Sequence, residues 1–389
     1  MRVTFFHYIH GSPGPLVHVD EFAKAFRALG NELEIQPMAL DLQAMPGALP
    51  QKKSWKQKWS PYFHELNTLR KNFSYYQREC EALRRYKPDV VIARYKLYHC
   101  SFAFSARKLK IPVVILVDAP AAYEQSKYLH QFHRIPGLAE GIEKMVINKA
   151  DKGIVVSEET KKYLPPGVRT QITEVANGVD IEKFNPSLDG SKARALFPFQ
   201  KPLVLGFVGS FSPFHGLDGL KKMMKFALEK YENVCFLLVG DGPGRAEVEA
   251  VAKSGKWDKR RVHFAGYLNH DEVPQYVAGM DVCLLPYQSA DGFYFSPLKL
   301  FEYLSCAKPV LAAQVGQIAR VLDGQNGLFY EAGNDRDMNE KLKQLIESSE
   351  LRGRIGTAAR KTVMEKFTWD RTALSFEKIL KSVIKKAPA

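Results

Sequence analysis

Short apolar runs rich in β-branched residues recur along the chain, each followed by a longer stretch whose apolar positions repeat at helical spacing. Arg2–Ile9 reads as a strand, and Val17–Leu29 as an amphipathic helix with Val19, Phe22, Ala23, Phe26 and Leu29 on one face. Asp89–Ala93, Pro112–Val117 and Gly153–Val156 are runs of the kind buried on both faces of a parallel sheet. The rhythm restarts at Leu203–Val208, Val234–Val239, Val262–Ala265, Val282–Pro286 and Val310–Ala312. Between the two series, Asn185–Pro202 carries three prolines and the stretch SLDGSKAR, which breaks both periodicities and marks a domain boundary. The pattern predicts an α/β protein of two doubly wound, Rossmann-like domains, 1–190 and 191–369, each binding ligand beyond the carboxyl ends of its strands.

Composition agrees with two cores. The chain has 389 residues, too many for one ordinary core and suited to two domains of about 180 residues each. No apolar run approaches the roughly 20 residues of a membrane span. The opening MRVTFFHYIHG reads as a first strand and not as a signal peptide. The five cysteines, Cys80, Cys100, Cys235, Cys283 and Cys306, are odd in number and scattered, which predicts free thiols in a reducing compartment, the cytoplasm.

Charge adds a second theme. The net charge is +14, and residues 51–110 hold 15 Lys and Arg against 4 Asp and Glu. There Trp55, Trp59, Tyr62, Phe63, Phe73, Tyr75 and Tyr76 interleave with Lys52, Lys53, Lys56, Lys58, Arg70 and Lys71. Two readings fit: a surface for an anionic membrane or a lipid-diphosphate acceptor, or a helix pair that packs its aromatics inward and solvates its lysines. The same charge raises a basic nucleic-acid-binding protein as a rival class. That class explains neither the doubled strand–helix rhythm nor the segment described next, and no nucleic-acid partner is expected.

Tyr294–Val310, YFSPLKLFEYLSCAKPV, follows the run Val282–Pro286 and turns abruptly helical. Ser296 suits an N-cap and Pro297 the first helical position. The first turn then directs free backbone N–H groups beyond the strand ends. Lys299 in that turn opposes the helix dipole unless an anion stands before it, and Glu302 lies on the same face. These residues suit a phosphate attached to a hydroxyl-bearing sugar. They equally suit a capped surface helix with an i,i+3 ion pair. The loop Gly209–Gly216, GSFSPFHG, is a second candidate phosphate site, leaving a strand and opening the helix Leu217–Lys230. Its Gly209, Ser210, Phe211, His215 and Gly216 face the same crevice as Ser296–Lys299. Asp335-Arg336-Asp337 imitates a metal-binding pair but precedes a helical run, Met338–Ser348, so it reads as helix capping, and no metal is required.

The segment FYFSPLKLFEY resembles the nucleotide-sugar signature of retaining glycosyltransferases of family 4, which have the GT-B fold of two Rossmann-like domains facing a central cleft. It matches a subgroup with a Ser-Pro-Leu-Lys core. VANGVDIEKFNP (Val175–Pro186), LGFVGSFSPFHG (Leu205–Gly216) and VGDGPG (Val239–Gly244) resemble further motifs of that family in its order and spacing. Glu302 matches the second signature glutamate, which in the family holds the donor ribose. The first glutamate, which contacts sugar hydroxyls, is replaced by Tyr294. The arginine and lysine usual in the Gly209–Gly216 loop are replaced by Ser210 and His215, with Lys299 available as a substitute charge.

The resemblance implies a nucleotide-diphosphate sugar as donor, held by Gly209, Ser210, Phe211, His215, Gly216, Ser296, Pro297, Leu298, Lys299 and Glu302, and no required cofactor. It implies a glycan, glycolipid or other hydroxyl acceptor on the first domain, near Gly11, Ser12, Gly14 and Glu124. Asp118, at the end of the strand Val113–Val117, is the candidate catalytic carboxylate. The terminal helix Trp369–Ile384 is expected to pack on the first domain. A nucleotide-sugar epimerase on the same fold is the alternative enzyme.

Overall fold

The computed structural model describes residues 1–9, 13–38, 60–129, 135–212 and 215–385. They form two compact units, Met1–Ala176 with Trp369–Ala389, and Asn177–Thr368. Residues 177–190 lie with the second unit. Val179 pairs with Thr368 there, and Arg360 donates to the carbonyls of Ile181 and Phe184 at 3.1 and 2.9 Å.

The first unit is built on β1 (Arg2–His7), β2 (Glu32–Pro37), β3 (Val90–Arg94), β4 (Val113–Val117), β5 (Lys152–Val155) and β6 (Ile172–Glu174). These form one parallel sheet in the order β2-β1-β3-β4-β5-β6. β4 is buried at every residue, and β3 at all but the last, which is why both read as unbroken apolar runs. The helix Pro13–Ala28 packs Phe22 against Phe376 of the helix Trp369–Ile384, with ring centroids 4.6 Å apart. The C-terminal helix therefore completes the core of this unit.

Of the basic aromatic segment, residues 51–59 lie outside the described residues, including Trp55, Trp59 and the four lysines before residue 60. From Ser60 the chain is one helix to Tyr86. Tyr75 packs inward against Tyr8 and His99, while Phe73 is 72% exposed. The helix thus divides its aromatics between core and surface.

The second unit contains β7 (Leu203–Val208), β8 (Val234–Val239), β9 (Val262–Gly266), β10 (Val282–Leu285), β11 (Val310–Ala313) and β12 (Leu328–Tyr330). The sheet is parallel, in the order β12-β11-β10-β7-β8-β9. The strand order reverses between β7 and β10, and loops leaving two neighbouring strands in opposite directions open a crevice at such a point. Both candidate phosphate segments leave the sheet there. Buried Met223, Leu237, Leu284, Phe301 and Leu342, from helices and strands alike, fill the core beneath.

Candidate active site

The loop after β7 is fixed by backbone bonds to its neighbour. Gly209 N–H donates to Val239 O at 3.0 Å and Phe211 N–H to Asp241 O at 3.0 Å. Gly209 has φ +155°, and a β-carbon there would stand 2.5 Å from Lys299 Nζ. Glycine at this position is what lets a lysine approach the backbone. Gly216, with φ +74°, begins the helix Leu217–Lys230, and a β-carbon on it would meet Pro286 O at 2.2 Å. Pro213 and Phe214 lie outside the described residues. Phe211 is fully buried against Phe207 and Phe264, so its side chain belongs to the core and only its backbone faces the loop.

After β10 the chain reaches the helix Leu298–Ser305. Ser296 is not the N-cap. Pro297 occupies that place in an extended conformation, with ψ 107°, and the helix starts one residue later than the serine predicts. Asn177 Nδ2 donates to Ser296 O at 3.3 Å. The Ser296 hydroxyl is buried without a hydrogen-bond partner among the described residues. Tyr303 tethers the helix to β7, accepting Val208 N–H at 2.7 Å.

Lys299 emerges from this first turn. Its stem is partly accessible, but Nζ is buried, lies 4.7 Å from the centre of the Phe207 ring, and has no hydrogen-bond partner among the described residues. Burial brings its pKa down to about 7, only partly opposed by the Glu302 charge. His215 turns Nδ1 toward the Ser210 carbonyl and hydroxyl. Burial first, and the Lys299 charge second, lower its pKa to about 3, so the ring is neutral at physiological pH. Among the described residues, this ammonium beside a glycine loop and the Ser296 hydroxyl both depart from the rule that buried charges and buried polar groups are partnered. Alanine at His215 should weaken diphosphate binding severalfold while leaving nucleoside binding unchanged, as parallel titrations of the two ligands will read.

Glu302 does not pair with Lys299. It is 9% exposed, and its Oε1 accepts from His270 Nε2 at 2.9 Å. His270 sits in the loop after β9, and its Nδ1 lies 2.8 Å from Lys183 Nζ. The sequence reading passed over both residues. A histidine among Asn269, Asp271 and Glu272 in a polar loop has no periodic signature, and Lys183 lies inside Val175–Pro186, a stretch that resembles a family motif without assigning the lysine a role. Tyr294, standing where the family has its first glutamate, is buried against Phe295 and adds no carboxylate.

In the first unit, the strand order reverses between β1 and β3. Asp118, just past β4, forms an ion pair with Arg94 at the end of β3. Its other oxygen, Oδ1, is buried without a hydrogen-bond partner among the described residues. Nearby His7 is buried and its pKa falls to about 4, chiefly through desolvation and then through Arg94. Lys96 donates to Tyr8 O at 3.1 Å. Glu124 ends the short helix Ala121–Glu124. The start of that helix is held by buried Glu143, which accepts from the N–H groups of Ala121 and Ala122 at 2.8 and 3.2 Å. Gly14 lies in the first turn of the helix Pro13–Ala28; Gly11 and Ser12 lie outside the described residues. Asp335-Arg336-Asp337 opens the helix Asp335–Glu347, capped by Asn334, which accepts from Asp337 N–H at 3.1 Å.

Residues 14–183 match the family model described as Glycosyltransferase Family 4, and residues 202–348 match that described as Glycosyl transferases group 1. An uncharacterized glycosyltransferase of Methanocaldococcus jannaschii is 29% identical over 238 residues, 61% of each chain. The sulfoquinovosyl transferase SQD2 of Arabidopsis thaliana is 26% identical over 298 residues, 74% of this chain and 55% of its own. The matches thus span between half and two thirds of these two relatives. Among solved structures, sucrose-phosphate synthase from Thermosynechococcus elongatus superposes with TM-score 0.73 at 18% identity, covering 99% of both chains. Anabaena HepE in complex with UDP gives 0.74 at 18% identity, over 98% of this chain and 100% of its own. The fold is GT-B, and each unit carries a glycosyltransferase domain.

Proposed function

We propose that this chain, a GT-B protein with a glycosyltransferase domain in each unit, is a retaining glycosyltransferase of family 4 type that moves a sugar from a nucleotide-diphosphate sugar to an acceptor hydroxyl. The observation that carries this reading is the buried, unpaired Lys299 ammonium between the β7 loop and the helix Leu298–Ser305, where an anion restores its partner. Diphosphate oxygens there receive backbone N–H groups of the helix start together with the lysine. The same donors stabilise the charge that grows as the diphosphate departs. Glu302 takes the ribose hydroxyls. Among the described residues of the second unit no side chain is placed as a nucleophile, and the acceptor hydroxyl attacks on the face the diphosphate leaves.

The acceptor side belongs to the first unit, at the carboxyl ends of β1, β3 and β4. Relatives named for sulfoquinovosyl transfer and for teichuronic acid biosynthesis support a place in cell-surface glycan or glycolipid assembly. The basic helix from Ser60, with Phe73 exposed, supports contact between a cytoplasmic enzyme and an anionic membrane surface.

Asp118 tests the division of labour. Its free Oδ1, with Arg94 on the other oxygen, suits a group that orients an acceptor or meets oxocarbenium charge. Asp118→Asn should lower turnover about tenfold or more while donor diphosphate affinity stays at the wild-type value. A fall in donor affinity with unchanged turnover per bound donor would contradict an acceptor-side role for Asp118.

A further inference from the structure

Glu302 is held by one side chain, and the chemistry of its neighbours fixes which proton does the holding. Lys183 Nζ has three donors and no acceptor, so the His270 Nδ1 it approaches at 2.8 Å must accept. The ring proton therefore resides on Nε2, which points at Glu302 Oε1 at 2.9 Å. Lys183 is itself anchored by Asp271 at 2.6 Å and by the backbone beside it, where Ser305 Oγ and Arg360 both bond the Phe184 carbonyl at 2.5 and 2.9 Å. The Phe184 ring packs on His270, with centroids 5.4 Å apart. The imidazole is thus fixed in position, tautomer and tilt by two other segments of the chain, Lys183–Phe184 on one side and Glu302 on the other.

We infer that His270, set by Lys183, is a positioning residue that holds the Glu302 carboxylate in one rotamer, Oε1 taken and Oε2 presented, so that the enzyme recognises a ribose diol and not a deoxyribose. This rests on the nucleotide-sugar reading above. A carboxylate at 9% exposure with two free oxygens would rotate to whatever donor it found, including Lys299 one turn away. Engaged by His270, it leaves the lysine unpaired for phosphate and offers one fixed acceptor to the hydroxyls. Among the described residues, Oε2 has no hydrogen bond in this structure. The arrangement separates the two halves of nucleotide recognition, charge at Lys299 and hydroxyl geometry at Glu302, by giving each its own partner.

The test compares UDP, GDP and ADP with their 2′-deoxy and 3′-deoxy forms by calorimetry on the full chain. For the nucleotide that binds, the wild type is expected to favour the ribose form by about tenfold, as a lost charge-assisted hydrogen bond requires. Glu302→Ala should abolish that preference. His270→Phe should reduce it to less than about threefold, while His270→Gln, which keeps an N–H for Oε1, should retain most of it. Lys183→Met should give an intermediate ratio. A ratio is read within each variant, so loss of overall stability does not mimic the effect, and circular dichroism confirms folding. A wild type without ribose preference would overturn the ribose reading itself, and this inference with it. A preference lost in Glu302→Ala but intact in His270→Phe would overturn the positioning role alone. Equal loss in the Gln and Phe variants would show that N–H donation is not the means, and wild-type behaviour of Lys183→Met would remove Lys183 from the assembly.

Discussion

Replacing Lys299 by methionine should lower affinity for a nucleoside diphosphate about 100-fold and affinity for the bare nucleoside by less than about threefold. Methionine keeps most of the bulk of the stem and removes the ammonium, which lies over the Phe207 ring. The pH dependence should change with it. In the free protein the ammonium titrates near 7 because it is buried, and a bound diphosphate restores its ordinary basicity by supplying the opposite charge. Affinity should therefore hold between about pH 6 and 7, where the terminal phosphate is ionised and the lysine charged. Above pH 7 it should fall by up to about tenfold per unit, because binding must then take up a proton. Lys299→Met should show no such fall between pH 7 and 9.

Stability should move in the other direction. A lysine whose folded pKa lies below its unfolded value binds fewer protons when folded, so wild-type stability rises with pH from about 7 to 10.5. At pH 6.5 Lys299→Met should be the more stable protein in thermal unfolding, and the difference should shrink toward pH 10. A site that is costly to the empty fold and relieved by an anion is the signature of a binding group rather than a core residue.

Glu302→Ala should produce the complementary pattern. It removes a carboxylate that accepts from hydroxyls, a loss of about 1.5–3 kcal/mol, and the hydroxyls belong to the nucleoside. Diphosphate and nucleoside affinities should fall together, by about tenfold or more, in contrast to the selective loss at Lys299. The helix should survive the change, because Tyr303 and the buried Leu300, Phe301 and Leu304 hold it in place. Unchanged affinity for both ligands in a folded variant would sink the ribose assignment.

The central strands were legible because a strand buried on both faces leaves a continuous apolar run. Leu203–Val208 and Val234–Val239 are read to the residue. β2, β6 and β12 were missed for the converse reason. All three lie at sheet edges and are partly exposed; β2 and β6 carry polar residues, Glu32, Glu34, Gln36 and Glu174, that blur the period, and β12 is only 3 residues long. The two phosphate segments were legible as glycine and proline chemistry at strand ends, but the detail of the cap was not. Ser296 has the right residue type, yet Pro297 is extended and takes the N-cap place, leaving the serine hydroxyl buried and free. Partnerships across segments were invisible, since nothing local ties Glu302 to His270 or Asp118 to Arg94. Each is a long-range contact made by the strand order.

The most direct measurement is a calorimetric titration of UDP, GDP and ADP, each beside its own nucleoside, into the wild-type chain near pH 6.5. The predicted result is that at least one diphosphate binds about 100-fold or more tightly than its nucleoside, and that Lys299→Met removes this advantage. Three diphosphates that bind no better than their nucleosides, or an advantage that persists without the lysine, would contradict a donor diphosphate held between the β7 loop and the helix Leu298–Ser305.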